Sequence, residues 1–412
     1  MGNTKHTHSA TKADIDHLEN IKRFFAFFIS SSLLFSLCAC GAGSNDNVTK
    51  IKPTANEDDI AQLEAAYKDR QAFHGNLHDH SDSGDPANDP WKTADGKYRI
   101  ELWPNFLASA DLDFVALVDH RQTNHMRLDA WDETMFMGAT ETGHRRLDTG
   151  NEIDAMHYNI LMNDPDELDR ILSNFDKFNC TGKGHFKIYS NNPLTEEEFS
   201  QLVGMIQDAG GIVVHVHPCY EGYMSSEDPM DYVLGEYTGM EVLCSYSGNM
   251  RFEANADAYK LWVELLNMGQ HIYAFAGSDS HRQTDTISTS TVYAEERLND
   301  SYLKHIVKGD FTAGPVGIRM CIGDTVMGSH TTFSGKRLVI AVDDFQSKEY
   351  KSEHQYRLDL YNENGLVLSQ EFDSKEAAYF AIDAEDCKYY RADIYDVTAD
   401  YIFAIGNPIW NE

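Results

Sequence analysis

Histidines and carboxylates recur where short apolar segments of the chain end. His78 and His80 are two residues apart, so on a β-strand they face the same side, where two imidazoles can hold one metal ion. The Ser/Gly turn that follows could return Asp85 to the same edge. Asp119 and His120 come directly after another apolar run. These residue types at these spacings predict metal ligands rather than nucleophilic catalysis.

Two further segments repeat this arrangement. Glu152 follows Gly-Asn and precedes His157, which stands at the head of an apolar stretch. A carboxylate can bridge two cations, and Glu152 is the candidate for that role. His215 and His217 alternate with valines, so a strand through them would place both rings on one face.

Asp279 and His281 end the last apolar segment, again two residues apart. Any single group also fits a helix cap, a turn or a hydrogen-bonded core histidine, but the repetition at successive strand ends favours a metal cluster. Arg121 and Arg282 each directly follow a histidine of the set. They could clamp a phosphate, or they could be surface arginines in salt bridges.

Alternating strands and helices are expected to position these groups. The predicted strands are 114–118, 211–214, 239–243 and 271–275, and the predicted helices are 57–70, 167–175, 195–209 and 254–268. Thr195 followed by Glu198 is typical of a capping box. Such alternation over about 250 residues predicts a parallel barrel, with polar groups gathered at the carboxyl ends of its strands.

The texture of the sequence changes after residue 315. Strand-like segments at 336–342, 356–361 and 389–395, with a turn at 362–365, predict a small antiparallel β-sandwich. The interpretation is therefore a signal segment at 1–40, a flexible tether at 41–57, a barrel at 58–315 and a β-sandwich at 316–412.

The N-terminal segment is expected to be a leader. Lys22 and Arg23 precede an apolar run that ends near Leu37, too short to span a bilayer comfortably but suited to a signal peptide. Small residues before Cys40 resemble a bacterial lipobox, so we expect lipid on Cys40 and an exported, membrane-anchored protein. An ordinary cleaved signal or an anchor helix is the alternative.

The net charge and the spacing of the cysteines disfavour several other classes of protein. The formal net charge is −32, which repels nucleic acid and anionic lipid surfaces. A locally positive metal site could still attract a small anionic ester. Beyond the leader the cysteines lack C-x-x-C spacing, which disfavours a zinc ribbon and a disulfide scaffold: Cys180, Cys219, Cys244, Cys321 and Cys387.

The order of these motifs over residues 72–285 resembles the PHP (polymerase and histidinol phosphatase) family. The order is His-x-His with a following Asp, strand-Asp-His, Gly-x-Glu with a following His, His-Pro, and Gly-Ser-Asp-Ser-His. The tail ending in Gly-Asn-Pro-Ile-Trp is similar to the carbaryl-hydrolase-like branch. The resemblance implies a distorted (β/α)7 barrel, like a TIM barrel, that holds two or three divalent metals.

The resemblance also implies a division of the ligands among three metals. The first would be held by His78, His80, Glu152 and Asp279. Glu152 would bridge to a second metal, held also by His157 and His217. The third would be held by Asp85, His120 and His281.

His215 matches no family ligand and is expected near the substrate or behind the ligands. The mixed donors suit Mn, Zn or Fe.

The expected activity is hydrolysis of an ester, most simply of a phosphate ester. A water shared by two cations has its pKa lowered towards roughly 7, which provides hydroxide at neutral pH. Glu152, Asp279 and His281 would contribute at the reacting centre, while the general acid stays unassigned. A carboxyl- or carbamate-ester hydrolase is the first alternative, with Trp131, Phe136 and Met137 as candidates to line an apolar pocket. A non-catalytic, surface-tethered binding protein with structural metals is the second.

Overall fold

The computed structural model of the chain describes residues 55–82, 96–145, 155–175, 194–220, 226–245, 252–282, 288–372 and 377–412. The predicted leader, residues 41–54 of the predicted tether, Asp85, Glu152 and Cys180 lie outside these ranges, while the first described helix begins at Glu57, within the predicted tether. Within the ranges, no helix combines the length and the apolar character needed to cross a membrane.

The described helices fall mainly in the first three quarters of the chain. They are α1 (Glu57–Ala66), α2 (Trp103–Ala110), α3 (Pro165–Ser173), α4 (Glu196–Asp208), α5 (Phe252–Asn267) and α6 (Asn299–Ile306). The predicted capping box is confirmed: Thr195 Oγ1 accepts from the backbone N of Glu198 at 3.2 Å, and the Glu198 carboxylate accepts from the backbone N of Thr195 at 2.8 Å. These bonds satisfy two donors that the first turn of α4 would otherwise leave unpaired.

Strands alternate with helices first and then follow one another directly. The strands before residue 315 are β1 (Gln71–Asp79), β2 (Phe114–Leu117), β3 (Phe136–Arg145), β4 (Ala155–Leu161), β5 (Ile212–His215), β6 (Thr238–Cys244), β7 (Ile272–Gly277), β8 (Ser290–Ala294) and β9 (Phe311–Ala313). Those after it are β10 (Gly317–Ile322), β11 (Thr325–Val326), β12 (His330–Thr331), β13 (Arg337–Asp343), β14 (Tyr356–Asn362), β15 (Gly365–Phe372), β16 (Ala378–Asp383), β17 (Tyr389–Asp396), β18 (Tyr401–Gly406) and β19 (Ile409–Asn411).

Strands β1 to β7 form a curled, mixed sheet in chain order. The pairs β1–β2, β2–β3, β5–β6 and β6–β7 are parallel, whereas β4 runs antiparallel to both β3 and β5. An antiparallel neighbour needs no long crossover, and no described helix separates β3 from β4. The fold is therefore a barrel-like α/β fold, although its sheet is not uniformly parallel.

The two ends of the curled sheet meet beside the polar residues. Asp79 at the end of β1 pairs with Ser280, just beyond β7, in an isolated parallel bridge. The backbone N of His80 donates to the carbonyl of Ser280 at 2.9 Å, and that of Asp279 donates to the carbonyl of His78 at 2.8 Å. The carboxyl ends of the first and seventh strands are thus held side by side.

The C-terminal strands divide between a separate small sheet and an extension of the large sheet. A separate antiparallel sheet has the order β11-β10-β13-β16, while β14, β15, β17, β18 and β19 continue the large sheet through β9. Side chains of both parts share one buried cluster that includes Ile318, Leu338, Leu358 and Ile394. The turn predicted at 362–365 is confirmed as the hairpin between β14 and β15.

Hydrogen bonds join these C-terminal strands to the strands of the curled sheet. Strand β18 pairs with β9, and Asn407 accepts from the backbone N of Ala274 at 2.7 Å while donating to the carbonyl of Phe311 at 3.3 Å. Pro53–Glu412 forms one compact unit by its contacts. The boundary at residue 315 stays a prediction.

Candidate metal centre

The predicted ligands that the structure describes converge at one edge of the curled sheet, at the carboxyl ends of its parallel strands and near the amino end of the antiparallel β4. His78 lies on β1, with His80 just beyond its end, and Asp279 follows β7. His120 follows β2, His157 lies on β4, His217 follows β5 and His281 follows Asp279. The β1–β7 bridge brings residues about 200 positions apart in the chain into contact.

Glu141 on β3 occupies the middle of this cluster. Its Oε2 lies 3.1 Å from Nε2 of His120 and 3.2 Å from Nε2 of His80. Its Oε1 lies 2.9 Å from Nδ1 of His157 and 3.4 Å from Nε2 of His217. One carboxylate therefore presents each of its oxygens to a different set of histidines.

Three overlapping groups of side chains could each hold a metal ion. Within each group, the ligand atoms all lie within 4.8 Å of one another. The groups are His78, His80, Glu141 and Asp279; Glu141, His157 and His217; and His80, His120 and His281. Glu141 belongs to the first two groups, and His80 links the first to the third. The shared residues make the three groups one continuous cluster of His, Glu and Asp side chains that could bind metal.

The electrostatics of the buried groups suit cations. Burial lowers the pKa of His157 to about 3, and burial together with neighbouring His80 lowers the pKa of His281 to about 4. Burial raises the pKa of Glu141, but His120 and the other surrounding histidines outweigh it and hold that pKa well below its ordinary value. Neutral imidazoles beside an ionised carboxylate offer lone pairs to a metal.

His78 titrates in the opposite direction. Burial by itself lowers the pKa of His78, but the charges of Glu241 and Asp279 outweigh it and raise that pKa well above the ordinary value. The Nε2 atom of His78 and the Oε2 atom of Glu141 are buried and make no hydrogen bond among the described residues, although they lie 3.4 Å apart. A buried nitrogen and a buried oxygen without hydrogen bonds can each offer a lone pair to a metal ion. Their positions fit a cation that both of them bind.

Two fully buried carboxylates hold the loops that carry the ligands. Asp119 accepts from the backbone N of Ser81 at 2.5 Å and from its hydroxyl at 2.7 Å, which anchors the residue next to His80. Asp79 accepts from the hydroxyl of Ser278 and, at 3.3 Å, from the backbone N of Ser280, the residue between Asp279 and His281. The ligand atoms are thus oriented by fixed neighbours.

The backbone at the site is strained at three positions. Arg121, His217 and Asp279 have φ of 50°, 36° and 48°, the left-handed region that residues other than glycine rarely adopt. Each stands at or beside the carboxyl end of a strand of the curled sheet. Such conformations cost about 1–3 kcal/mol each and concentrate at functional sites.

A carboxylate that was not predicted from the sequence lies at the middle of the cluster. Strand β3 runs through residue 141, and the carboxylate of Glu141 contacts histidines of two ligand groups. Glu152 and Asp85 lie outside the described residues, so their own roles stay predictions. The sequence signal for β3 is weak, because Thr140 and Thr142 are its only β-branched residues.

The three residues predicted to contact substrate lie in different environments. His215 is buried, its Nδ1 lies 3.0 Å from the carbonyl oxygen of Tyr232, and its ring stacks on that tyrosine. Arg121 is 6% exposed, and its backbone N donates to the carbonyl of Glu141 at 2.8 Å. Arg282 is exposed beside His281.

The apolar pocket considered for a carboxyl or carbamate ester is not built from the residues expected to line it. Phe136 and Met137 lie on β3 and are fully buried in hydrophobic cores. Trp131 packs against Phe136, with ring centroids 5.4 Å apart. These side chains stabilise the sheet behind the cluster.

The free cysteines agree with the absence of a disulfide scaffold among the described residues. Cys244, Cys321 and Cys387 are buried, and Cys219 is half-buried. Burial raises the pKa of each of Cys219, Cys321 and Cys387 to about 11, so these thiols stay protonated at neutral pH.

Comparison of the sequence with known protein families and with curated proteins gives no match. Solved structures similar to part of the chain include a protein from Bifidobacterium adolescentis that has been proposed to be a metal-dependent phosphoesterase, at 15% identity and a TM-score of 0.32. Another is an amidohydrolase from Chromobacterium violaceum with bound sulfate and no metal, at 15% identity and a TM-score of 0.33. Each comparison covers 50% of this chain and 87% of the other. Likeness at this level carries no argument about function.

Proposed function

We propose that the protein is a metal-dependent hydrolase that acts as a phosphoesterase at a centre of two or three divalent metals. The observation that carries the proposal is Glu141, whose two oxygens serve two separate ligand groups. The donor set of imidazoles and carboxylates suits Mn, Zn or Fe.

The residues of the chain hold and orient the reacting groups. When bound, the cations would supply a water that ionises near pH ~7 and positive charge towards the ester oxygens. Glu141 and Asp279 provide negative charge inside the cluster, and the buried histidines exclude bulk water from it. The exposed guanidinium of Arg282, next to His281, lies where it could bind the anionic part of a substrate.

The proposed substrate is a small anionic ester. The chain carries a formal net charge of −32, which opposes binding to a nucleic-acid backbone over a large surface. A compact cationic centre at one edge of the sheet can still attract a single small anion.

Hydrolysis assays test this proposal directly. Purified protein is loaded with Mn or Zn and assayed with p-nitrophenyl phosphate, bis-p-nitrophenyl phosphate and p-nitrophenyl acetate, with Glu141→Gln as the control. We expect metal-dependent hydrolysis of a phosphate ester that the variant loses. Faster hydrolysis of the acetate would assign the carboxyl-ester alternative. Bound metal without hydrolysis of any of these esters would favour the non-catalytic alternative.

A further inference from the structure

Glu241 on β6 contacts ligands of two different metal groups. Its side chain is 2% exposed. Oε1 lies 3.0 Å from Nδ1 of His78, and Oε2 accepts from the backbone N of His217 at 2.9 Å. His78 belongs to the group around Asp279, whereas His217 belongs to the group around His157.

The contact with His78 sets which nitrogen of its ring is available. A carboxylate accepts, so in the neutral, metal-binding form of the ring Nδ1 carries the proton and Nε2 keeps its lone pair. Nε2 lies 3.4 Å from Glu141 and 3.4 Å from Asp279, within the first group. Glu241 therefore presents the metal-binding nitrogen of His78 to the cluster.

The contact of Glu241 with His217 stabilises a strained backbone conformation. His217 has φ of 36°, and its backbone N donates to the Glu241 carboxylate. A charge-assisted hydrogen bond to a buried carboxylate offsets part of that strain. The turn that places the His217 ring 3.4 Å from Glu141 thus depends on the same side chain.

Gly277 on β7 leaves the space in which the side chains of Glu241 and His78 make contact. A Cβ at residue 277 would lie 2.3 Å from Oε1 of Glu241 and 2.5 Å from the Cβ of His78. Only glycine leaves the carboxylate and the imidazole in contact, so three strands meet at one tightly packed point.

We infer that Glu241 is a positioning residue of the metal centre, and that its carboxylate orients His78 and His217 at the same time. The inference rests on the proposed metal-dependent function. Both partners of Glu241 are donors, and a carboxylate offers an acceptor to each. A glutamine offers one acceptor and one donor, so in either orientation it opposes N–H with N–H at one of the two contacts.

The test compares Glu241→Gln with Glu264→Gln, the same change at an exposed position on α5. Affinity for Zn and for Mn is measured by competition with a chelator, together with metal content and circular dichroism. We expect Glu241→Gln to remain folded and to lose about 10–100-fold in metal affinity, as for other groups that orient metal ligands. Glu264→Gln should match the wild type.

The possible outcomes distinguish the positioning role of Glu241 from the proposed function. Wild-type affinity in a folded Glu241→Gln protein would overturn the positioning role while leaving the proposed function intact. A wild-type protein that binds no metal would overturn the proposed function itself, and the inference with it. If Glu241→Gln does not fold, Glu241→Asp keeps the charge and both acceptors but is one methylene shorter. Its metal affinity should fall below that of the wild type, and unchanged affinity would overturn the inference.

Discussion

Glu141 contacts histidines of two of the candidate ligand groups. Its Oε2 approaches His80 and His120, and its Oε1 approaches His157 and His217. Under the proposed function, a carboxylate placed in this way would hold two cations. Its replacement is therefore the most direct test of the proposed centre at the level of one residue.

Replacement of Glu141 should abolish the centre. Glu141→Gln keeps the shape but removes the charge that two groups share, so at least one metal should be lost and turnover should fall by several orders of magnitude. Elemental analysis and steady-state kinetics measure both effects.

Glu152→Gln is the matched comparison, because the sequence alone predicted that residue as the bridge. Full metal content in Glu141→Gln combined with metal loss in Glu152→Gln would contradict the assignment made from the structure.

Arg282→Ala should weaken substrate binding more than chemistry. A charge-assisted hydrogen bond contributes about 1.5–3 kcal/mol, so KM should rise by about tenfold or more while kcat changes little. Arg297→Ala is the control, since Arg297 is on the surface and donates to the carbonyl of Asp113 at 3.1 Å. Equal KM for the two variants would exclude Arg282 from substrate binding.

Helix α1 links the beginning of the described chain to the small C-terminal sheet. Asp59 accepts from the backbone N of Asn56 at 3.0 Å and from Nε and Nη2 of Arg337 on β13, each at 2.9 Å. Leu63 and Tyr67 pack in the same cluster as Val339 and Ala381. The helix thus covers the outer face of the small sheet.

Asp59→Ala should lower the free energy of unfolding by about 1–3 kcal/mol, because it removes one bond of the capping box with Asn56 and a two-pronged ion pair. Asp58→Ala, exposed in the same first turn, should cost only a few tenths of a kcal/mol. Urea denaturation of the two variants gives the comparison.

The contribution of Asp59 to the free energy of unfolding should depend on pH. The side-chain hydrogen bond with Arg337 holds the pKa of Asp59 below its ordinary value of 3.8. The contribution of Asp59 is therefore complete above that value and is lost as the pH falls below it. A difference between wild type and Asp59→Ala that persists undiminished at pH 2 would contradict this account.

For the whole molecule, metal binding should add to stability. Binding to the native state alone contributes about 2.7 kcal/mol when the free metal stands at 100 times its Kd. Chelation should therefore lower the melting temperature by several degrees. Calorimetry of Glu141→Gln is the control, because a protein that has lost at least one metal should show a smaller change on chelation than the wild type.

We also propose that the protein is exported and held at the membrane by lipid on Cys40, a residue outside those that the structure describes. Cys40→Ser should release the protein from the membrane fraction or block its processing, whereas Cys38→Ser should behave as wild type. Membrane partition of Cys40→Ser equal to that of wild type would rule out the lipid anchor.

Local patterns in the sequence were enough to predict several elements and most of the described ligands. The capping box at Thr195 is confirmed because both of its partners lie within one helical turn. His78, His120 and His217 were identified because each lies where an apolar strand ends. Strand periodicity and capping depend on neighbours along the chain, which is why a single sequence reveals them.

The tertiary structure decided which carboxylate stands at the centre and which residues position the ligands. Strand β3 is poor in β-branched residues, and its pairing with β2 and β4, rather than local propensity, makes it a strand that brings Glu141 to the cluster. His215 and His217 do not share a face as predicted, because β5 ends at His215 and His217 turns into the left-handed region. The contact of Glu241 with His78 joins residues 163 positions apart. No local periodicity records such a contact, because it forms only when the curled sheet brings the ends of its strands together.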